Sequence, residues 1–107
     1  MEFGIFSQMH VPPDETEHSR FMRTVDVSIA CDAAGIKYDW APEHHFLTNY
    51  SHQPAPECYL SFVAAKTQQI HVGFAIINIT APVNHPARTA ERRNGYSARL
   101  SNEEGRP

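Results

Sequence analysis

The sequence predicts an α/β protein built on a parallel sheet, and three observations carry that reading. Short apolar runs alternate with longer segments of helical period, a helix separates each strand-like run from the next, and the most strand-like run is apolar at nearly every position. Strands parted by helices cannot pair as hairpins, so they lie parallel through right-handed crossovers. An apolar run without alternation is the mark of a strand covered on both faces. At 107 residues the chain is too short for two cores, so every element shares one.

Phe3 to Phe6 mixes aromatic, glycine and β-branched residues and reads as a first strand buried on both faces. Val11-Pro12-Pro13 then forces an extended turn, and Asp14 or Thr16 caps the helix that follows. From Glu15 to Ala34, Phe21, Val25, Ile29 and Ala33 recur every fourth residue as a core-facing stripe, and Gly35 supplies a left-handed stop. Ile36 to Trp40 sets Tyr38 and Trp40 against charged Lys37 and Asp39, a second strand ending at Pro42. Leu47 to Pro56 is a turn-rich loop placed to cover something. Pro56-Glu57 opens a second helix with Tyr59, Leu60, Phe62, Val63 and Ala64 on its apolar side, up to Thr67. Ile70 to Ile79 is the third strand, Thr80 to Asn84 a loop, and Pro86 begins a third helix holding Ala87, Arg88, Ala90 and Glu91.

Composition removes several classes of function. Apolar residues at 41% and charged residues at 20% place the chain with globular rather than disordered sequences. Its nine basic and twelve acidic residues are interspersed, leaving no basic stripe to neutralise nucleic-acid phosphates. No window approaches the run of about 20 apolar residues that a membrane helix needs. The opening MEFGIFSQMH has no basic segment leading an apolar one, so the expected location is the cytoplasm. Cys31 and Cys58 make no disulfide framework and are expected to be free, buried thiols. No GxGxxG or Walker-type loop occurs, which sets aside a phosphate cradle of either kind.

Parallel α/β sheets gather ligands at the carboxyl ends of their strands. Three loops carry polar groups there: Gln8, Met9 and His10 after the first strand, Glu43, His44, His45 and Asn49 after the second, and Asn78, Thr80 and His85 after the third. Glu43, His44 and His45 form a candidate acid/base group, because imidazole exchanges protons near neutral pH and an adjacent carboxylate fixes its tautomer. Adjacent residues on extended chain point to opposite faces, so one ring faces the substrate and the other braces the loop. A zinc site drawn from Glu43, His44, His45, His52 and Cys58 is the rival chemistry, and no metal is assigned because no HExxH or CxxC frame supports it. Tyr38, Trp40 and His71 read as structural, and Gly4 and Gly73 as places where a helix packs closely on the strand.

Four segments in this order, MEFGIFSQ, WAPEHHF, VGFAIINIT and NHPARTAER, together resemble the N-terminal part of the bacterial luciferase-like flavin-dependent monooxygenases, over about Met1 to Arg92. The resemblance implies a partial TIM (β/α)8 barrel made of the first three βα units. It also implies reduced FMN reacting with O2 to oxidise a small organic substrate such as an aldehyde, with a flavin reductase supplying the reduced cofactor. Some relatives use F420 instead, as reductases or dehydrogenases. His44 matches the family's active-site histidine, and Glu43 and His45 match its neighbours. Ala75-Ile76 matches the non-prolyl cis peptide that several relatives place under the flavin ring, with Asn78 and Thr80 as contacts at the flavin edge. The protein's part in such chemistry is to orient and shield the flavin.

The chain departs from that pattern in two respects. A complete barrel has eight strands and typically about 250 residues, so the later loops that hold the flavin phosphate have no positions here. After the HPxRxAE segment the sequence runs RRNGYSARLSNEEGRP, polar and broken by Gly95. The expectation is an N-terminal barrel part at residues 1–93 and a divergent polar tail at residues 94–107. Such a truncated piece leaves a strand edge and an inner sheet face open, which favours self-association into a homo-oligomer over autonomous catalysis. The alternative is a non-catalytic remnant or binding module completed by a partner.

Overall fold

The structure, a computed structural model, describes residues 1–80 and His85. The expected third helix from Pro86 and the polar tail lie outside the described residues. The chain divides into two compact units, Met1–Ile76 and Ile77–Pro107. In the first, β1 (Gly4–Phe6), α1 (Glu17–Ala33), β2 (Tyr38–Ala41), α2 (Pro56–Lys66) and β3 (His71–Phe74) follow one another. The three strands form one parallel sheet in the order β1-β2-β3, with Ile5 beside Asp39 and Asp39 beside Val72.

Each helix starts and stops for a local reason. Thr16 caps α1, its hydroxyl accepting the Ser19 N–H at 3.1 Å. At the other end Gly35 turns left-handed at φ +81°, so that its N–H reaches the Asp32 carbonyl and the Ile36 N–H reaches that of Cys31. That pair of bonds is a Schellman stop. Asp32 also ties the entry to β3: its carboxylate accepts the backbone N–H groups of Gln68, Gln69 and Ile70 at 2.8–2.9 Å. Pro56 stands at the first turn of α2, where its missing N–H is no loss.

The strand pleat sends Ile5, Asp39, Ala41, Val72 and Phe74 to one face and Gly4, Phe6, Tyr38, Trp40, His71 and Gly73 to the other. Helices pack on the first face, where Val25, Ala41, Tyr59, Leu60, Val63, Ile70 and Val72 form the core. The second face is open, with Phe6 50% and Trp40 38% exposed.

Six expectations are corrected here. β1 is not buried on both faces, because its Phe6 is 50% exposed and no described element covers that side. The buried stripe of α1 runs through Val25 and Ser28, whereas Ile29 and Ala33 are exposed. Asp39, read as the charged outer side of β2, is fully buried between sheet and helices. β3 ends at Phe74 instead of Ile79, since an apolar run alone cannot mark where a strand leaves the sheet. The thiols are free, but Cys31 is half-buried and Cys58 exposed. The reason for glycine at 73 also differs. A Cβ there would lie 2.4 Å from the Trp40 ring, so the neighbouring strand's indole, not a helix, occupies the space.

Candidate active site

All three strands of the first unit deliver their carboxyl ends to one edge of the sheet, because they are parallel. Ser7 to His10 leave β1 there, Pro42 to His45 leave β2, and Ala75-Ile76 leave β3. The last pairing beyond the strands is the Ala75 N–H to the Ala41 carbonyl, 2.8 Å. The peptide bond between Ala75 and Ile76 is cis.

Glu43, His44 and His45 are together and divide the work as adjacent residues must. Glu43 is buried, and its carboxylate accepts His45 Nε2–H at 2.8 Å. That bond fixes which ring nitrogen carries the hydrogen. His44 turns the other way. Its ring meets Tyr50 edge-on at 5.6 Å between centroids, and its backbone N–H donates to the Gln53 carbonyl at 3.0 Å. The His44 side chain lines a cavity of about 460 Å³ with Met9, Phe21, Phe46, Leu47 and Pro54 among its apolar walls. One imidazole is therefore held by a carboxylate and its neighbour faces a mostly apolar space, an arrangement able to exchange one proton with a bound molecule.

The covering loop is ordered by its own backbone. The Tyr50 and Ser51 N–H groups both donate to the Leu47 carbonyl, and the His52 N–H donates to the Met9 carbonyl at 3.1 Å. Met9 and Phe46 sit at positive φ, 51° and 60°, where the chain reverses beside the cavity. Phe46 is 98% exposed. Among the described residues no three of the His, Cys, Asp and Glu side chains come together as a metal site. Asn78 and Thr80 belong to the second unit, where the Asn78 side-chain oxygen accepts both the Thr80 N–H and its hydroxyl, at 3.0 and 2.6 Å. His85 is exposed.

Sequence reasoning missed two polar arrangements. Asp39 Oδ2 accepts the Ser28 hydroxyl at 2.6 Å and the Tyr59 hydroxyl at 3.0 Å, with Ser28 and Tyr59 also 2.7 Å apart. Burial pushes the Asp39 carboxyl above its usual range, against the two hydroxyl bonds that favour its charge. Burial and the nearby Asp39 push Tyr59 up as well. The other is His52, which bridges Glu17 and Thr48. The serine at position 28, three residues after Val25, was the one hint that the buried face of α1 carries a polar group.

The sequence profile of the luciferase-like monooxygenase family matches residues 1–93. The chain belongs to that family. An uncharacterised protein of Sinorhizobium fredii, y4wF, is 30% identical over 92 residues, covering 85% of this chain and 25% of that protein. The alkanal monooxygenase alpha chain of Photorhabdus laumondii is 29% identical over 94 residues, 88% of this chain and 25% of the relative. Among solved structures, the oxygenating constituent of 3,6-diketocamphane monooxygenase from Pseudomonas putida, a type II Baeyer-Villiger monooxygenase in complex with FMN, superposes with a TM-score of 0.78. It is 22% identical and is matched over 92% of this chain and 26% of its own, a likeness of fold. The chain thus spans about a quarter of the length of the relatives and of the solved structure it matches. No described helix is long and apolar enough to cross a membrane.

Proposed function

We propose that this chain contributes the first three βα units of a TIM barrel, residues 1–93, to a flavin-dependent monooxygenase that uses reduced FMN and O2 to oxidise a small organic substrate such as an aldehyde. The observation that carries the reading is His44 lining an apolar cavity at the carboxyl end of β2 while Glu43 holds His45. The name of the Photorhabdus relative supports an aldehyde, and the FMN in the Pseudomonas structure supports the cofactor.

The strand ends among the described residues suit the flavin ring better than its phosphate. At the end of β3 the Ala75-Ile76 peptide offers an apolar edge with Ile76 66% exposed, suited to a flat ring. Ser7 to His10 and Glu43 to His45 include no lysine or arginine, and Arg20 and Arg23 both bind Glu15. In this reading the phosphate is held by groups other than these two loops. When bound, reduced FMN supplies the electrons for oxygen chemistry. His44 holds or returns a proton at the reacting molecule, Glu43 fixes His45, and the loop from Leu47 excludes water. In this reading Asn78 and Thr80 touch the flavin edge, residues 94–107 form a polar tail, a separate reductase supplies reduced flavin, and copies of the chain associate.

Titration of oxidised and reduced FMN against the chain and a His44→Ala variant, following flavin fluorescence and oxygen consumption, tests this. Both proteins are expected to quench flavin fluorescence. The variant should lose substrate-dependent product by about 10²- to 10⁴-fold, the range of a single acid/base group. Identical turnover in the two removes His44 from the mechanism, and no quenching by either removes the flavin.

A further inference from the structure

We infer that His52 is a positioning residue: as an imidazolium it latches the loop walling the His44 cavity onto the first turn of α1, and the loop loosens when that ring gives up a proton. Its functional consequence rests on the site proposed at His44, while the latch itself stands on the geometry around one ring.

His52 Nδ1 lies 2.6 Å from Glu17 Oε1, and Nε2 lies 2.6 Å from the Thr48 carbonyl. A carboxylate and a carbonyl only accept. Neutral imidazole has one N–H and one lone pair, so it can serve one of these oxygens while its lone pair confronts the other. Both bonds form together only on the doubly protonated ring. The bond to Glu17, then the one to the Thr48 carbonyl, accordingly hold the ring's proton affinity above the ordinary histidine value of 6.5. A histidine raised by folding stabilises fully below its unfolded value. That contribution fades as pH climbs from 6.5 through the higher folded value.

The ring sits where release would matter. Thr48, Ser51 and His52 line the cavity from the loop, Glu17, His18 and Phe21 line it from α1, and Met9 lines it from the turn after β1. His52 joins all three, through its ring to Glu17, through its ring to Thr48 and through its backbone to Met9. Glu17 meets the ring, and the other titratable groups lining the same cavity are His18 of α1 and His44 after β2, while the turn after β1 presents Met9 and α2 lines no part of the cavity. No lysine or arginine is among the lining residues. The Glu17 side chain is 76% exposed, so water screens the charge attraction and the two-donor requirement sets the pH dependence.

The test is an NMR pH titration of the full chain, reading the His52 ring and the exchange of the Tyr50, Ser51 and His52 amides after correction for intrinsic pH dependence. The ring should titrate above 6.5, and the three amides should exchange several-fold faster beyond that point. The interior amides of α1, such as Val25, control for global opening. His52→Gln should abolish the step, and Glu17→Gln should move it to lower pH. A ring titrating at or below 6.5, amides indifferent to pH, or a step that survives His52→Gln would each overturn the latch. None of these readings uses flavin, so failure of flavin binding and failure of the latch are separate results.

Discussion

Two regions four residues apart both bury a carboxylate, and only one of them borders open space. Asp39, in the layer between sheet and helices, is enclosed by α1 and α2, whose Ser28 and Tyr59 hydroxyls converge on one of its oxygens. Its other oxygen has no hydrogen-bond partner among the described residues. Glu43, just past the end of β2, meets an imidazole whose neighbour lines the cavity. The difference teaches that a buried acid does not by itself mark a site. What matters is whether the groups facing it are locked by two packed helices or adjoin a residue that borders a space a molecule can enter.

The largest test of that contrast uses two tyrosines, one in each region. Tyr59 is fully buried, its ring edge-on to Phe21 at 5.9 Å and its hydroxyl in the Asp39 cluster. Tyr59→Ala should lower stability by about 3–5 kcal/mol, the range for removing a buried aromatic ring. Tyr50, 54% exposed and resting against His44, should cost less than about 1 kcal/mol on conversion to alanine. Urea unfolding of the two variants measures both. Equal losses would mean that the loop around His44 is as much core as the helix layer.

The sequence carried the coarse fold because each βα unit announces itself locally. Thr16, Gly35 and Pro56 fix the helix ends, and helices between strands force the parallel order that puts Glu43, His44 and His45 at one edge. Facing direction was less legible. A stripe at spacing four through Val25 and Ile29 fits the period, but spacing three to Ser28 fits it equally, and the tie is settled by where Asp39 and Tyr59 lie. Asp39 misled because charge argues for solvent unless hydroxyl partners are known, and those partners come from 11 and 20 residues away. The His52 bridge to Glu17 spans 35 residues and likewise follows from tertiary placement alone.

A smaller effect is expected at the mouth. Glu43→Ala removes the acceptor that orients His45 and leaves a partly buried N–H to find water, a loss of about 1–3 kcal/mol. The sharper reading is the His45 ring itself. Its ¹⁵N shifts should report hydrogen on Nε2 in the parent chain and a mixture of tautomers in the variant. If the parent already shows the mixture, Glu43 does not hold the ring, and the distinction between the two carboxylates narrows to burial alone.

The smallest change isolates the Asp39 charge. Asp39→Asn keeps an oxygen for the Ser28 and Tyr59 hydroxyls and removes ionisation, so stability near pH 7 should move by no more than about 1 kcal/mol. The pH profile is the decisive quantity. Burial raises the Asp39 carboxyl above its ordinary 3.8, so the folded chain binds this proton more tightly than the unfolded one. Stability contributed by the protonated form is then present at low pH and falls as pH rises from 3.8 through the folded value. The parent chain should therefore lose urea resistance relative to Asp39→Asn over that window, with the two curves parallel above it. A parent that gains on the variant as pH rises would show the carboxylate to be stabilised by its hydroxyls more than burial opposes it, and the helix layer would then hold a favourable charge.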